Sequence, residues 1–135
     1  MIELITGKKG SGKTKMLIEM INKSVASNDG NIVCIEKGAK LTYDLSHHVR
    51  LIDVDHFFVS GYDNFYGFLC GIISGNYDIN EIYVDSLLKI GSNNYDDLSV
   101  FLDKISKIVN EFDIKLVLAI SEDINELPEN VRKYA

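Results

Sequence analysis

Proline occurs once in this 135-residue chain, and cysteine and arginine occur twice each. With so little proline, nearly half of its residues hydrophobic and a quarter charged, the chain is not a disordered or low-complexity segment; it has the composition of a globular domain. Cys34 and Cys70 lie far apart, in strand-like and helix-like apolar runs, which argues for buried thiols over a disulfide or a metal site. Long hydrophobic runs are missing as well. The most apolar stretch, FFVSGYDNFYGFLCGIISG, is interrupted by Asp63, Asn64 and several glycines, so no membrane span is expected. Basic charge is in deficit overall: the net charge of −6 argues against a broad nucleic-acid-binding face. The chain enters an apolar segment almost at once, so we expect no secretory leader and a cytoplasmic location. Its length suits one domain, residues 1–135, with a single core.

What basic charge there is gathers near the start. In ELITGKKGSGKTKM, the residues Lys8, Lys9, Lys13 and Lys15 crowd one loop and the segment after it, a cationic focus suited to a small polyanion. Apolar Ile2, Leu4 and Ile5 predict a strand before the loop. Leu17, Ile18, Ile21 and Val25 predict a helix over Thr14 to Ser27 after it. The loop itself, Gly7-Lys8-Lys9-Gly10-Ser11-Gly12-Lys13-Thr14, fits G-x-x-x-x-G-K-[ST] in the strand–loop–helix setting that this motif requires.

The rest of the chain continues the alternation. IVCIE and VRLIDVD read as strands, separated by the less regular KGAKLTYDLSHH. A helix is expected over about Tyr62 to Gly75, then the strand EIYVD ending in Asp85. The clearest helix spans about Tyr95 to Phe112, with Asp96 and Asp97 in its first turn, where the helix dipole favours them. KLVLAIS reads as the last strand and LPENVRKYA as a short helix with Pro128 near its start. Strands separated by helices predict an α/β three-layer sandwich around a mostly parallel five-stranded sheet. Gly67, Gly71 and Gly75 share one face of the second long helix, where close packing on the sheet would explain them. His47 and His48 read as an exposed pair and His56 as a strand-end residue.

The loop composition has a chemical reason. Successive backbone amides can curl around a phosphate only where glycine permits the backbone angles and the close approach. Lys13 can then reach the β- and γ-phosphates, Thr14 can offer its hydroxyl to Mg2+, and the helix directs its positive end at the anion. Lys8 and Lys9, inside the variable part of the loop, read as solvated charge above it. A magnesium–nucleotide site also needs a carboxylate at the end of an apolar strand. Asp85 in IYVD is preferred for its uninterrupted apolar run; Asp53 and Asp55 in LIDVD are the rivals.

On these residues the chain resembles a P-loop NTPase, with GKKGSGKT as its Walker A motif and IYVD as a Walker B candidate. The resemblance implies the P-loop NTPase fold and nucleoside-triphosphate binding at the carboxyl ends of the strands. The order of elements is similar to the RecA-like and AAA-type branch, in which a later strand often ends in a polar sensor. Here VLAIS ends in Ser121, and SEDINELPENVR resembles the segment that follows such a strand. Two departures stand out: Ser86 occupies the place beside Asp85 where that branch usually carries Glu, and the branch's final strand is missing. The resemblance therefore moves the catalytic carboxylate elsewhere, to Glu36 at the end of IVCIE or to Asp55, with Glu122 and Asp123 as weaker candidates. An arginine finger from a neighbouring subunit would be Arg132.

Three functions follow as expectations. The first is a Mg2+-dependent ATP-binding protein with slow or partner-stimulated ATPase activity, in which a homo-oligomer or a protein partner supplies missing catalytic groups. Lys13 would stabilise charge, Thr14 and Asp85 would hold Mg2+, and Ser121 would sense the γ-phosphate. The second is a small-molecule kinase, since the region before IYVD resembles the thymidine kinase core, although the cysteine pairs and arginine-rich lid of that family are missing. The third is a non-catalytic interaction module switched by nucleotide. Guanine specificity is not expected, because no N-K-x-D occurs late in the chain.

Overall fold

Strands that are apolar on both faces need cover from two sides. The computed structural model, which describes residues 1–39, 41 and 44–135, supplies it with one five-stranded, all-parallel sheet. Strands β1 (Ile2–Gly7), β2 (Asn31–Glu36), β3 (Val49–Asp53), β4 (Ile79–Val84) and β5 (Lys115–Ser121) lie in the spatial order β1-β5-β4-β2-β3. The helices are α1 (Lys13–Val25), α2 (Tyr62–Gly75), α3 (Leu87–Ile90), α4 (Tyr95–Glu111) and α5 (Glu129–Arg132). Lys40, Thr42 and Tyr43, in the segment read as less regular, lie outside the described residues.

The period-two alternation of the strands sorts the core into two halves. On one side Leu17 and Ile21 of α1 meet Ile5, Cys34, Tyr83, Val117 and Ala119. On the other, Leu4, Val33, Ile35, Ile82, Val84 and Leu118 meet Phe65 and Leu69 of α2 and Leu98, Leu102 and Ile105 of α4. Helix, sheet and helix thus make three layers. Asn94 starts α4 by accepting a hydrogen bond from the Asp97 amide at 3.1 Å, which satisfies one of the open amides of the first turn. Among the described residues, no helix is long and apolar enough to cross a membrane.

Two expectations are corrected. Gly67, Gly71 and Gly75 do not pack on the sheet: all three are exposed, and a Cβ at any of them would meet nothing within 4 Å. The larger apolar residues Tyr62, Phe65, Leu69 and Ile73 turn the opposite side of α2 inward, leaving the glycines in solvent. Cys34 is buried as expected, but Cys70 is only half-buried. A smaller difference concerns β4, which stops at Val84, so that Asp85 is the first residue beyond it.

Candidate functional site

The strand order places a crevice at the carboxyl end of β5. The chain leaves β1 for α1 on one face of the sheet and leaves β4 for α3 and α4 on the other, and β5 lies between those two strands. Such a reversal in an open parallel sheet separates the loops and leaves room for a ligand.

One wall is the glycine loop. The Gly7 amide donates to the Glu122 carbonyl at 2.9 Å and fixes where the loop begins, and the Ser11 amide closes a turn onto the Lys8 carbonyl at 3.0 Å. Gly7, with φ at 150°, cannot be enlarged: a Cβ there would stand 2.4 Å from the Ser11 hydroxyl. Gly12 starts α1 in the left-handed region, with φ at 88° and no side chain to cap the helix. Among the described residues, the first-turn amides of Lys13, Thr14 and Lys15 therefore have no protein acceptor. No acidic residue occupies that turn either, so the positive end of the helix is left uncompensated.

Lys13 adds a full charge to this wall. It is only 8% exposed, and its Nζ donates to the Lys8 carbonyl at 3.0 Å and the Ser11 hydroxyl at 3.4 Å. Among the described residues the ion pairs are Lys37–Asp55 and Lys133–Asp103, so Lys13 makes no direct ion pair. A buried ammonium without an anion is a costly arrangement. The next residue faces the other wall: the Thr14 hydroxyl lies 3.3 and 3.4 Å from the two Asp85 carboxylate oxygens. The Asp85 amide extends the β4–β2 ladder by donating to the Ile35 carbonyl at 2.9 Å. Ser86, at φ 60°, then turns the chain sharply into α3.

These groups bound a cavity of about 390 Å³ lined by Lys9, Gly12, Lys13, Thr14, Asp85 and Ser121. Ser121 arrives there as the register partner of Gly7. Gly10 also lines the cavity. Lys8 contributes its carbonyl to Lys13, while the Lys8 and Lys15 side chains are exposed. Asp85 is thus the strand-end carboxylate that meets Thr14. Asp53 instead accepts from the Gly38 and Asp55 amides at 2.8 and 2.9 Å, and Asp55 pairs with Lys37 at 2.6 Å, both at the β3 edge.

The other carboxylates are engaged elsewhere. Glu36, 2% exposed, is withdrawn beneath the surface, pairs in register with Asp53 and accepts from the Leu41 amide at 3.4 Å. Glu122 accepts from the Tyr95 hydroxyl at 2.9 Å, and Asp123 from the Asn125 amide at 2.8 Å. Arg50 lies on β3 and Arg132 on α5, and neither lines the cavity. Beneath the site, burial pushes the Cys34 thiol up to about 12, and the nearby Glu36 and Asp85 charges push in the same direction.

Ser86 and Lys89 also line the cavity, and sequence reasoning assigned neither to it. The available signal was DSLLKI, in which Lys89 stands between Leu87 and Ile90 directly after the strand-end carboxylate. Among the described residues, no group of three or more His, Cys, Asp or Glu side chains gathers to hold a metal. The hard-oxygen pair at this site is one hydroxyl and one carboxylate, which suits a cation that takes its remaining ligands from a phosphate and water. The chain matches no protein-family model, and no curated protein matches it significantly.

Proposed function

We propose that this chain is a Mg2+-dependent ATP-binding domain with the P-loop NTPase fold, related to the RecA-like and AAA-type branch, whose hydrolysis is slow or stimulated by a partner. One observation carries the reading: the buried, unpaired Lys13 ammonium and three open amides stand together at the amino end of α1. A phosphate would satisfy all of them at once. The Lys13 Nζ would exchange the Lys8 carbonyl and Ser11 hydroxyl for phosphate oxygens, the stronger charge-assisted partners.

Thr14 and Asp85 are the residues that would hold Mg2+. When bound, that ion neutralises charge on the β- and γ-phosphates. Ser121, placed beside the loop by its pairing with Gly7, would contact the terminal phosphate. Asp85 is the one carboxylate among the residues lining the cavity, and it already faces Thr14. With no second carboxylate there among the described residues to take a proton from water, unassisted hydrolysis is expected to be slow, and a homo-oligomeric neighbour or a protein partner would complete the site. The same observation favours a second reading, a nucleotide-switched interaction module that does not hydrolyse.

The test is a binding and turnover assay with radiolabelled ATP, Mg2+ and purified protein. Wild type should retain ATP, and Lys13→Ala should lower affinity by about 100-fold. Undiminished binding by Lys13→Ala would refute the loop assignment. Release of labelled phosphate identifies an ATPase, and retention of intact ATP a switch. Transfer of the label to an added nucleoside would instead identify a kinase.

A further inference from the structure

Building on the ATP-site reading, we infer that Lys89 is the residue that distinguishes a nucleoside triphosphate from a diphosphate, by supplying this chain's own second cation at the terminal phosphate. The cavity is flanked by charge on two sides. Lys9 and Lys13 belong to the β1–α1 wall, and Lys89 belongs to the α3 wall beyond Asp85. Among the described residues lining the cavity, Asp85 alone opposes these three cations, which leaves it electropositive. Lys89 has no ion-pair partner among the described residues.

Its position is set by a rigid base. Leu87 and Ile90 are fully buried on either side of it and hold α3 against the core. The Ile90 carbonyl accepts from the Gly61 amide at 2.8 Å, and the Ser92 carbonyl accepts from the Tyr62 hydroxyl at 2.6 Å. A short helix anchored this way fixes the backbone from which Lys89 extends. Lys89 also lines a second cavity of about 440 Å³, whose lining includes Ser86, Ser92, Asn93 and Ser121. Ser86, Lys89 and Ser121 are common to both cavities, so Lys89 stands where the phosphate cavity continues away from the loop.

The charges divide the recognition. Phosphates held by the loop amides and Lys13 are served by the β1–α1 wall. A further phosphate extends the negative charge toward α3, where Lys89 is the cation available among the described residues, since Arg50 and Arg132 line neither cavity. Lys89 is a specificity residue on this account, and its removal affects triphosphate binding selectively.

The experiment compares a non-hydrolysable ATP analogue with ADP, both with Mg2+, by calorimetry on wild type, Lys89→Gln, Lys89→Arg and Lys13→Ala. Lys89→Gln should weaken the triphosphate by about tenfold and ADP by less than about twofold, while Lys89→Arg keeps most of the preference. Equal weakening of both ligands, or of neither, overturns the inference. If Lys13→Ala loses both ligands while Lys89→Gln keeps the wild-type ratio, the ATP-site reading stands and the role of Lys89 falls. Wild-type protein that binds neither ligand overturns both. Lys89 is exposed, so a melting temperature near that of wild type will show that the variants are folded.

Discussion

Glu81→Gln probes the opposite end of the molecule, and its effect follows from three hydrogen bonds. The Glu81 carboxylate is 9% exposed and accepts from the Ser24 hydroxyl and the Tyr83 hydroxyl, each at 2.5 Å, and from the Asn28 side-chain amide. Burial alone would raise its pKa. The bonds from Ser24, Tyr83 and Asn28, with the nearby Lys115 charge, outweigh burial and hold it below the ordinary 4.5. Ser24 and Asn28 share one oxygen and Tyr83 uses the other. Glutamine turns one of those oxygens into an NH2 group, so one set of donors faces a donor. Losing a bond to a charged acceptor in a buried setting costs about 2 kcal/mol.

Urea unfolding measures that loss. With a slope of about 1–3 kcal/mol per molar, the midpoint at pH 7 should fall by about 1 M. The pH dependence follows from the direction of the shift. A carboxyl whose folded pKa is depressed contributes its stability in full above the unfolded value near 4.5, and loses it as pH falls through the folded value. The gap between wild type and Glu81→Gln should therefore narrow on going from pH 7 to pH 3. Equal midpoints at pH 7, or a gap of the same size at pH 3, would refute the reasoning.

Two further perturbations test the site and its floor. Asp85→Asn can still face the Thr14 hydroxyl but carries no charge, so half-maximal ATP binding should need about tenfold more Mg2+; an unchanged Mg2+ titration would refute Asp85 as a metal ligand. Cys34, buried and with its thiol pushed up to about 12, should resist an aromatic disulfide reagent at pH 8 while half-buried Cys70 reacts, the second thiol appearing only in denaturant. Equal rates for both thiols in the native protein would contradict the burial of Cys34.

The layers of this fold were legible because its long elements bury one regular stripe. The expected span of α2, Tyr62 to Gly75, and the strand KLVLAIS coincide with the observed elements. The glycine loop was legible too, since its residues adjoin in sequence. Choosing among Asp85, Asp53 and Asp55 was harder: all three follow apolar runs in the sequence, and what separates them is sheet order, which places β4 beside β5 and β3 at the far edge. The face turned inward by α2 depended on which side chains were larger, not on where its glycines recurred. Lys89 was missed because α3 has four residues, too few to show a helical period. Glu81 was missed because a charge early in a strand looks solvated, whereas two of its three partners, Ser24 and Asn28, come from more than fifty residues away.

Those missed contacts explain how the site holds its shape. At the base of the sheet, Ser24 of α1 bonds to Glu81 of β4, and at the top, Thr14 of α1 faces Asp85 just beyond β4. One helix is thereby registered on one strand at both ends. The two ends differ in satisfaction. Among the described residues every buried side-chain polar atom has a hydrogen-bond partner, and Glu81 draws three donors to itself. At the top, the amides of Lys13, Thr14 and Lys15 are open, the Lys13 charge is unpaired and Ser86 sits at a strained φ of 60°. Open amides, an unpaired buried cation and backbone strain each oppose folding, and they concentrate where the structure around them over-determines their position. The satisfied base fixes α1 on β4, while the opposite end keeps its first-turn amides open and its ammonium on neutral acceptors alone. An anion arriving there would relieve the open amides and the unpaired charge together.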